Sequence, residues 1–115
     1  QTWRSSEEQA ALYQKGRDES GTIVSPSLIV TNARPGRSPH EVTDHGMPAA
    51  LAFDIAFLQG SKIVWEGPWA TAGAIGAEIC GLTWGGTWKS FCDRPHFQLR
   101  TWKDKAASLG WEITT

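Results

Sequence analysis

A chain of 115 residues suits a single domain, and at this size roughly two-thirds of the unfolded surface can leave water. An apolar content of 40% and a charged content of 20% describe a globular protein and exclude a disordered one. A formal net charge of −1 with no basic run excludes a general nucleic-acid binder, and no apolar stretch approaches the roughly 20 residues that membrane insertion requires.

The chain shows no signal-peptide pattern and opens at Gln1-Thr2-Trp3-Arg4, without Met and already inside a structured element, so a processed or trimmed N-terminus is expected. Ser5 or Ser6, followed by Glu8 and Gln9, predicts a capped helix through Ala10-Ala11-Leu12-Tyr13 that stops near Gly16. From Asp18 to Pro39, Gly, Pro, Ser and Asn predict a long loop with at most one short strand at Leu28-Ile29-Val30.

Between Ala49 and Phe57 the chain alternates. Leu51, Phe53, Ile55 and Phe57 form a bulky apolar face, whereas Ala50, Ala52, Asp54 and Ala56 form a small face carrying one carboxylate. Gln59-Gly60-Ser61 reads as a hairpin turn into a strand from Lys62 to Trp65. Pro68 suits a first helical position, and Trp69 to Cys80 reads as a helix ended by Gly81. Gly73 and Gly76 weaken that helix, so close packing against a neighbour is expected there. A short strand at Leu82–Trp84, a turn at Gly85-Gly86, a strand at Arg94–Leu99 and a helix at Trp102–Leu109 complete the chain. Helices at the ends and strands in the middle predict an α+β fold, a small antiparallel sheet flanked by helices in one domain spanning residues 1–115.

Cys80 and Cys92 are too few for a disulfide framework; buried thiols are the expectation, with a single bridge as the alternative. Most of the seven tryptophans are expected in the core, although Trp84 and Trp88, on either side of the glycine turn, are placed to line a cleft.

The chain has three histidines, His40, His45 and His96. A catalytic zinc site takes three protein ligands from His and Asp or Glu and keeps a fourth position for water. His96 and Gln98 share one face of their strand, His40 sits in the turn-like Gly36-Arg37-Ser38-Pro39-His40, and Asp54 has room beside it because its neighbours on that face are alanines. Spacing alone leaves the ordinary readings open: an Asp on a solvated strand face and hydrogen-bonded or surface histidines.

Thr2-Trp3-Arg4-Ser5, Leu12-Tyr13 with Gly16-Arg17, and Ser38-x-His40 ahead of Ala52-Phe53-Asp54-Ile55 form the first half of a pattern. Gly81-Leu82-x-Trp84-Gly85-Gly86-x-Trp88-Lys89-Ser90-Phe91, then Asp93-x-Pro95-His96-Phe97-Gln98, form the second. Together they resemble the zinc D-alanyl-D-alanine carboxypeptidase and L-alanyl-D-glutamate endopeptidase family, nearest in likeness to the endopeptidases of phage endolysins and bacterial autolysins. The resemblance implies the small α+β zinc-peptidase fold also found in Hedgehog-type domains. It implies Zn2+ on His40, Asp54 and His96, with Asp93 as general base and Arg4 polarising or orienting the substrate. Ser38 is a candidate to hydrogen-bond substrate or to fix its loop, and Gln98 to orient His40 or His96.

The implied substrate is the stem peptide of peptidoglycan, cut by a monomer acting at the bacterial cell wall. The Trp-Gly-Gly-x-Trp-Lys-Ser-Phe segment leans toward the endopeptidase branch. A D-alanyl-D-alanine carboxypeptidase and a non-catalytic zinc-containing binding module are the rival readings. One departure from the family pattern is the segment from Glu41 to Pro48, interposed between His40 and Asp54. It brings in His45 as an alternative ligand, with His40 preferred for its Ser-x-His context. Glu41 and Asp44 in that segment are candidates to shape substrate choice or are simply solvated. Arg4 is equally placed to pair with Glu7 or Glu8 on the helix surface, and Asp93 to start the turn before Pro95.

Overall fold

The computed structural model describes residues 2–113. Helix α1 spans Ser6–Gln14, with Ser5 as its cap: the Glu8 amide donates to Ser5 Oγ at 3.1 Å and the Ser5 amide donates to Glu8 Oε1 at 3.2 Å. The reciprocal bonds satisfy amides that the first helical turn leaves unpaired. The chain leaves α1 at Lys15, and Gly16 takes φ +80°, where a Cβ would also lie 2.7 Å from the Ser25 carbonyl oxygen.

No strand forms at Leu28–Val30. Pro26–Leu28 is a single 3-10 turn, and Leu28 and Val30 are exposed, because no neighbouring strand offers them a ladder. The loop is instead clasped by Arg17, which lies over the Tyr13 ring and donates to the Tyr13 carbonyl, to the Thr31 carbonyl at 3.1 Å and to Asn32 Oδ1 at 3.1 Å.

After a 3-10 turn at Pro39–Glu41, strands β1 (Val42–Asp44) and β2 (Met47–Pro48) form a hairpin through His45 (φ 50°) and Gly46 (φ 81°). The short C-terminal strand β8 (Glu112–Ile113) pairs with the other edge of β1. The long strand expected over Ala49–Phe57 divides in two. Strand β3 is Ala52–Asp54, and β4 (Phe57–Gln59) turns away into a hairpin with β5 (Lys62–Val64). The bulky side of β3 is also less buried than expected: Phe53 is 37% exposed whereas Ala52 is 4%, because the Pro39–Glu41 turn packs against the strand.

Helix α2 (Trp69–Ala74) continues as one π-helical turn, Ile75–Ile79, with Pro68 just outside at the cap position. A Cβ on Gly73 or Gly76 would stand 2.3 Å from the Trp84 or Phe97 ring, so both glycines exist for close helix–sheet approach. Strands β6 (Leu82–Trp84) and β7 (His96–Leu99) join β3 in the order β3-β7-β6, all antiparallel, and α3 (Trp102–Leu109) ends at Gly110 in the left-handed conformation. The architecture is α+β, with the expected single sheet replaced by three small antiparallel ones.

The core is thin: Val42, Ala52, Trp69, Phe97 and Ala106 are its buried apolar residues among those described. Among the described residues Trp69 is the one buried tryptophan; the others are of intermediate exposure except Trp65, so fewer are enclosed than expected. Sheets two or three strands wide leave large rings only half-covered at their edges, and Trp65 is 59% exposed. Cys80 and Cys92 are free and exposed rather than buried.

Candidate metal centre

Asp54 and His96 face each other directly in the β3–β7 register, so the sheet places a carboxylate and an imidazole on one face as neighbours. His40 arrives from the Pro39–Glu41 turn, whose sequence Ser38-Pro39-His40-Glu41 forms a second capping box. The His40 amide donates to Ser38 Oγ at 3.2 Å, and the Ser38 amide donates to Glu41 Oε1 at 3.1 Å. Glu41, 1% exposed, also accepts from the Gly36 amide at 2.7 Å and the Ser6 hydroxyl at 2.9 Å, fastening the turn to α1. Glu41 is therefore neither solvated nor available to substrate. The Ser-x-x-Glu spacing that reveals the cap at Ser5 was equally present here.

The ligand atoms converge. His40 Nε2 lies 3.2 Å from His96 Nδ1, Asp54 Oδ1 lies 3.6 Å from the former and 3.4 Å from the latter, and these three residues form a group able to hold a metal ion. Tetrahedral zinc with bonds of about 2.0–2.1 Å separates its ligand atoms by about 3.3 Å. The outer ring nitrogens are already committed. His40 Nδ1–H donates to the Thr2 carbonyl at 2.6 Å, and His96 Nε2–H donates to Gln98 Oε1 at 2.8 Å. A carbonyl or carboxamide oxygen can only accept, so in the neutral tautomers both inner nitrogens present lone pairs to each other and to a carboxylate. A cation is what such a donor set fits.

The charges behave accordingly. Burial works to raise the Asp54 pKa, but the hydrogen bonds and charges of His40 and His96 outweigh it and hold the carboxyl well below its ordinary range. Burial works against charge on His96, yet Asp54, Gln98 and Asp93 more than compensate and raise its pKa.

Arg4 is 7% exposed, and its Nη2 stands 3.6 Å from Asp54 Oδ2. Its backbone amide donates to the His40 carbonyl at 2.9 Å, so residues 2–4 and the His40 turn brace each other through two bonds. Asp93 lines the same cleft, of about 480 Å³, and burial, assisted by the charge of Asp54, raises its carboxyl pKa. Its amide donates to the Gly85 carbonyl at 2.9 Å, and a Cβ on Gly85 would strike the Asp93 carbonyl oxygen at 2.3 Å; the glycine turn is what lets Asp93 approach. Ser38 lines the cleft but is 3% exposed and is engaged with the His40 amide. His45 stands apart, its side chain 93% exposed and bonded to Asp44.

Trp88 lines the cleft and its ring lies 5.1 Å from that of His96, whereas Trp84 packs against Gly73 and Gly86 and donates to the Arg94 carbonyl. Trp65, Trp102 and Lys103 also line the cleft and were not anticipated; nothing in their spacing connects them to the histidines. Gln9, the one buried residue of α1, was likewise missed.

Comparison with known proteins adds two findings. A protein family described as D-alanyl-D-alanine carboxypeptidase matches residues 32–99, more than half of the chain. The peptidoglycan L-alanyl-D-glutamate endopeptidase CwlK of Bacillus subtilis (strain 168) is 35% identical over 107 residues, covering 84% of this chain. The match covers 56% of the length of CwlK.

Proposed function

The chain belongs to the D-alanyl-D-alanine carboxypeptidase family, and from that premise we propose that it is a zinc-dependent peptidoglycan peptidase, specifically an L-alanyl-D-glutamate endopeptidase. The observation that carries the metal assignment is the convergence of His40 Nε2, Asp54 Oδ1 and His96 Nδ1 within 3.2–3.6 Å, with both outer ring nitrogens donated to oxygens. The likeness to CwlK supports the choice of bond.

In this reading His40, Asp54 and His96 hold zinc, which when bound supplies Lewis acidity to activate water and polarise the scissile carbonyl. Asp93 accepts the proton of the attacking water and returns it to the leaving amine as the C–N bond breaks. A positioned acid–base group of this kind contributes about 10²- to 10⁴-fold. Its raised pKa suits the task, because an ordinary carboxylate is a poor base at neutral pH. Arg4, buried beside Asp54, offsets negative charge developing on the carbonyl oxygen. Ser38 acts through His40 by fixing its turn, rather than by holding substrate. His45, pointing to solvent, takes no part. Arg4, Ser38, His40, Asp54, Asp93 and His96 open on one cleft, which supports a single peptidase domain. Among the described residues no helix is long and apolar enough to cross a membrane.

The family description favours one second reading, release of the terminal D-Ala. Digestion of purified peptidoglycan by the zinc-loaded protein, followed by identification of new termini, separates the two. New amino-terminal D-Glu is expected. Free D-Ala alone would reassign the protein as a carboxypeptidase, and no cleavage would leave a non-catalytic zinc module.

A further inference from the structure

We propose that Gln9 is a positioning residue, which aims the Arg4 guanidinium into the metal cleft and with the same carboxamide anchors the 31–33 segment of its wall. Gln9 is 0% exposed in a helix whose other residues are all at least partly exposed. A buried carboxamide without partners forfeits its hydration with nothing in return, so its place inside must be matched by bonds. It is matched at both ends. Gln9 Oε1 accepts from Arg4 Nη1 at 2.7 Å, while Nε2 donates to the Ala33 carbonyl at 2.7 Å and reaches Thr31 Oγ1 at 3.4 Å.

A neutral side chain that accepts on one atom and donates on another is what this position demands. A hydrocarbon would leave both the guanidinium and the Ala33 carbonyl short of a bond, and a carboxylate would repel that carbonyl. Arg4 is a long side chain with several rotatable bonds, and its other face meets Asp54 at 3.6 Å. Gln9 opposes that pull from behind. It keeps the guanidinium from folding fully onto a carboxylate that the metal needs, and leaves it directed at the cleft that Arg4, Thr31 and Ala33 all line. Gln9 itself does not line the cleft, so it acts through Arg4 and not on substrate.

The role assigned to Arg4 rests on the peptidase reading, so the test has one arm that depends on activity and one that does not. In the first arm, Gln9→Met lowers kcat about 10- to 100-fold, the scale of a displaced catalytic group, with little change in KM and full zinc content. The same substitution in an Arg4→Ala background costs much less, leaving only the loss of the Ala33 anchor. Equal losses in both backgrounds would overturn the proposal, since a general structural defect does not require Arg4.

In the second arm, the Arg4 Nη–H resonances of the zinc-loaded protein are resolved by slowed guanidinium rotation in the parent and merge in Gln9→Met. Persistence of resolved signals in that variant would also overturn it. Should Gln9→Met not fold, Gln9→Glu retains an acceptor for Arg4 and lacks the donor for Ala33; retained Arg4 signals support the proposal and merged ones refute it. A parent that binds zinc but cuts no peptidoglycan defeats the peptidase reading while leaving the second arm to decide about Gln9.

Discussion

Asp54 and His96 are directly opposed partners in the antiparallel pairing of β3 with β7. Two ligands of one ion are therefore adjacent by strand register alone, and a slip of one residue would turn one of them to the opposite face. The third, His40, joins them from a turn, so a bound ion ties three chain segments around a core of few buried side chains. Binding to the folded state alone stabilises it by about 2.7 kcal/mol at a free concentration 100 times Kd. Chelation should accordingly lower Tm by roughly 10 °C, and added zinc should restore it. A calorimetric scan showing the same Tm with and without chelator would contradict the assignment of these three residues as the centre.

Gln98 fixes which nitrogen of His96 faces the centre, by accepting from Nε2–H at 2.8 Å. Gln98→Leu removes the acceptor and permits the wrong tautomer and ring orientation. Zinc affinity should fall about 10- to 100-fold, as read by competition with a chromophoric chelator. His45→Ala, remote and solvent-exposed, should leave that affinity unchanged.

Asp93 sets an expectation for pH. Burial and the neighbouring Asp54 charge raise its pKa, while His96, His40 and Arg4 act to lower it, and the net direction is upward. A base must be deprotonated to work, so kcat/KM should fall as pH drops through a value above that of an ordinary aspartate. Arg4→Met removes one of the lowering charges, and its acid limb should lie at higher pH than the parent's. Both proteins carry the same ion, so the charge of the ion does not account for the difference. Asp93→Asn should reduce kcat about 10²- to 10⁴-fold at unchanged zinc content. A limb that stays in place in Arg4→Met would separate Asp93 from the measured ionisation.

Local rules made much of this readable. The Ser5–Glu8 box, the Gly60 hairpin, the strand around His96 and the helix stop at Gly81 follow from residues within a turn or two. The candidate ligands were legible as residue types but not as neighbours, since periodicity cannot report that β3 pairs with β7 or that His40 swings in from a loop. The alternation over Ala49–Phe57 misled because it is continuous in sequence while the pairing is not: Ile55 makes the last bond to Pro95, and β4 then finds its own partner. Burial of the tryptophans failed for a related reason, since hydrophobicity states a preference and the width of the sheets limits how many rings can be covered. Gln9 reads from sequence only as a capping partner and Glu41 as solvated or substrate-shaping, but each is buried because partners far along the chain meet its hydrogen bonds.

Gly76 joins packing to the metal centre in a way that can be tested against a second glycine. In a helix interior Gly→Ala gains about 1 kcal/mol from propensity, so the substitution stabilises wherever space allows. At Gly76 the new Cβ would lie 2.3 Å from Phe97 Cε1. Phe97 is 3% exposed and lies between Phe53 and Trp84, with ring centroids at 5.6 and 6.4 Å, so it has little room to retreat. Overpacking of this kind costs about 1–3 kcal/mol, more than propensity returns, and the displaced ring belongs to the residue after His96. Gly76→Ala should therefore lose both stability and zinc affinity. Gly81→Ala meets no atom within 4 Å and is penalised only by its φ of +70°, about 1–2 kcal/mol. It should lower Tm while binding zinc as the parent does. Equal zinc affinity in the two variants would show that the Phe97 contact does not reach the centre.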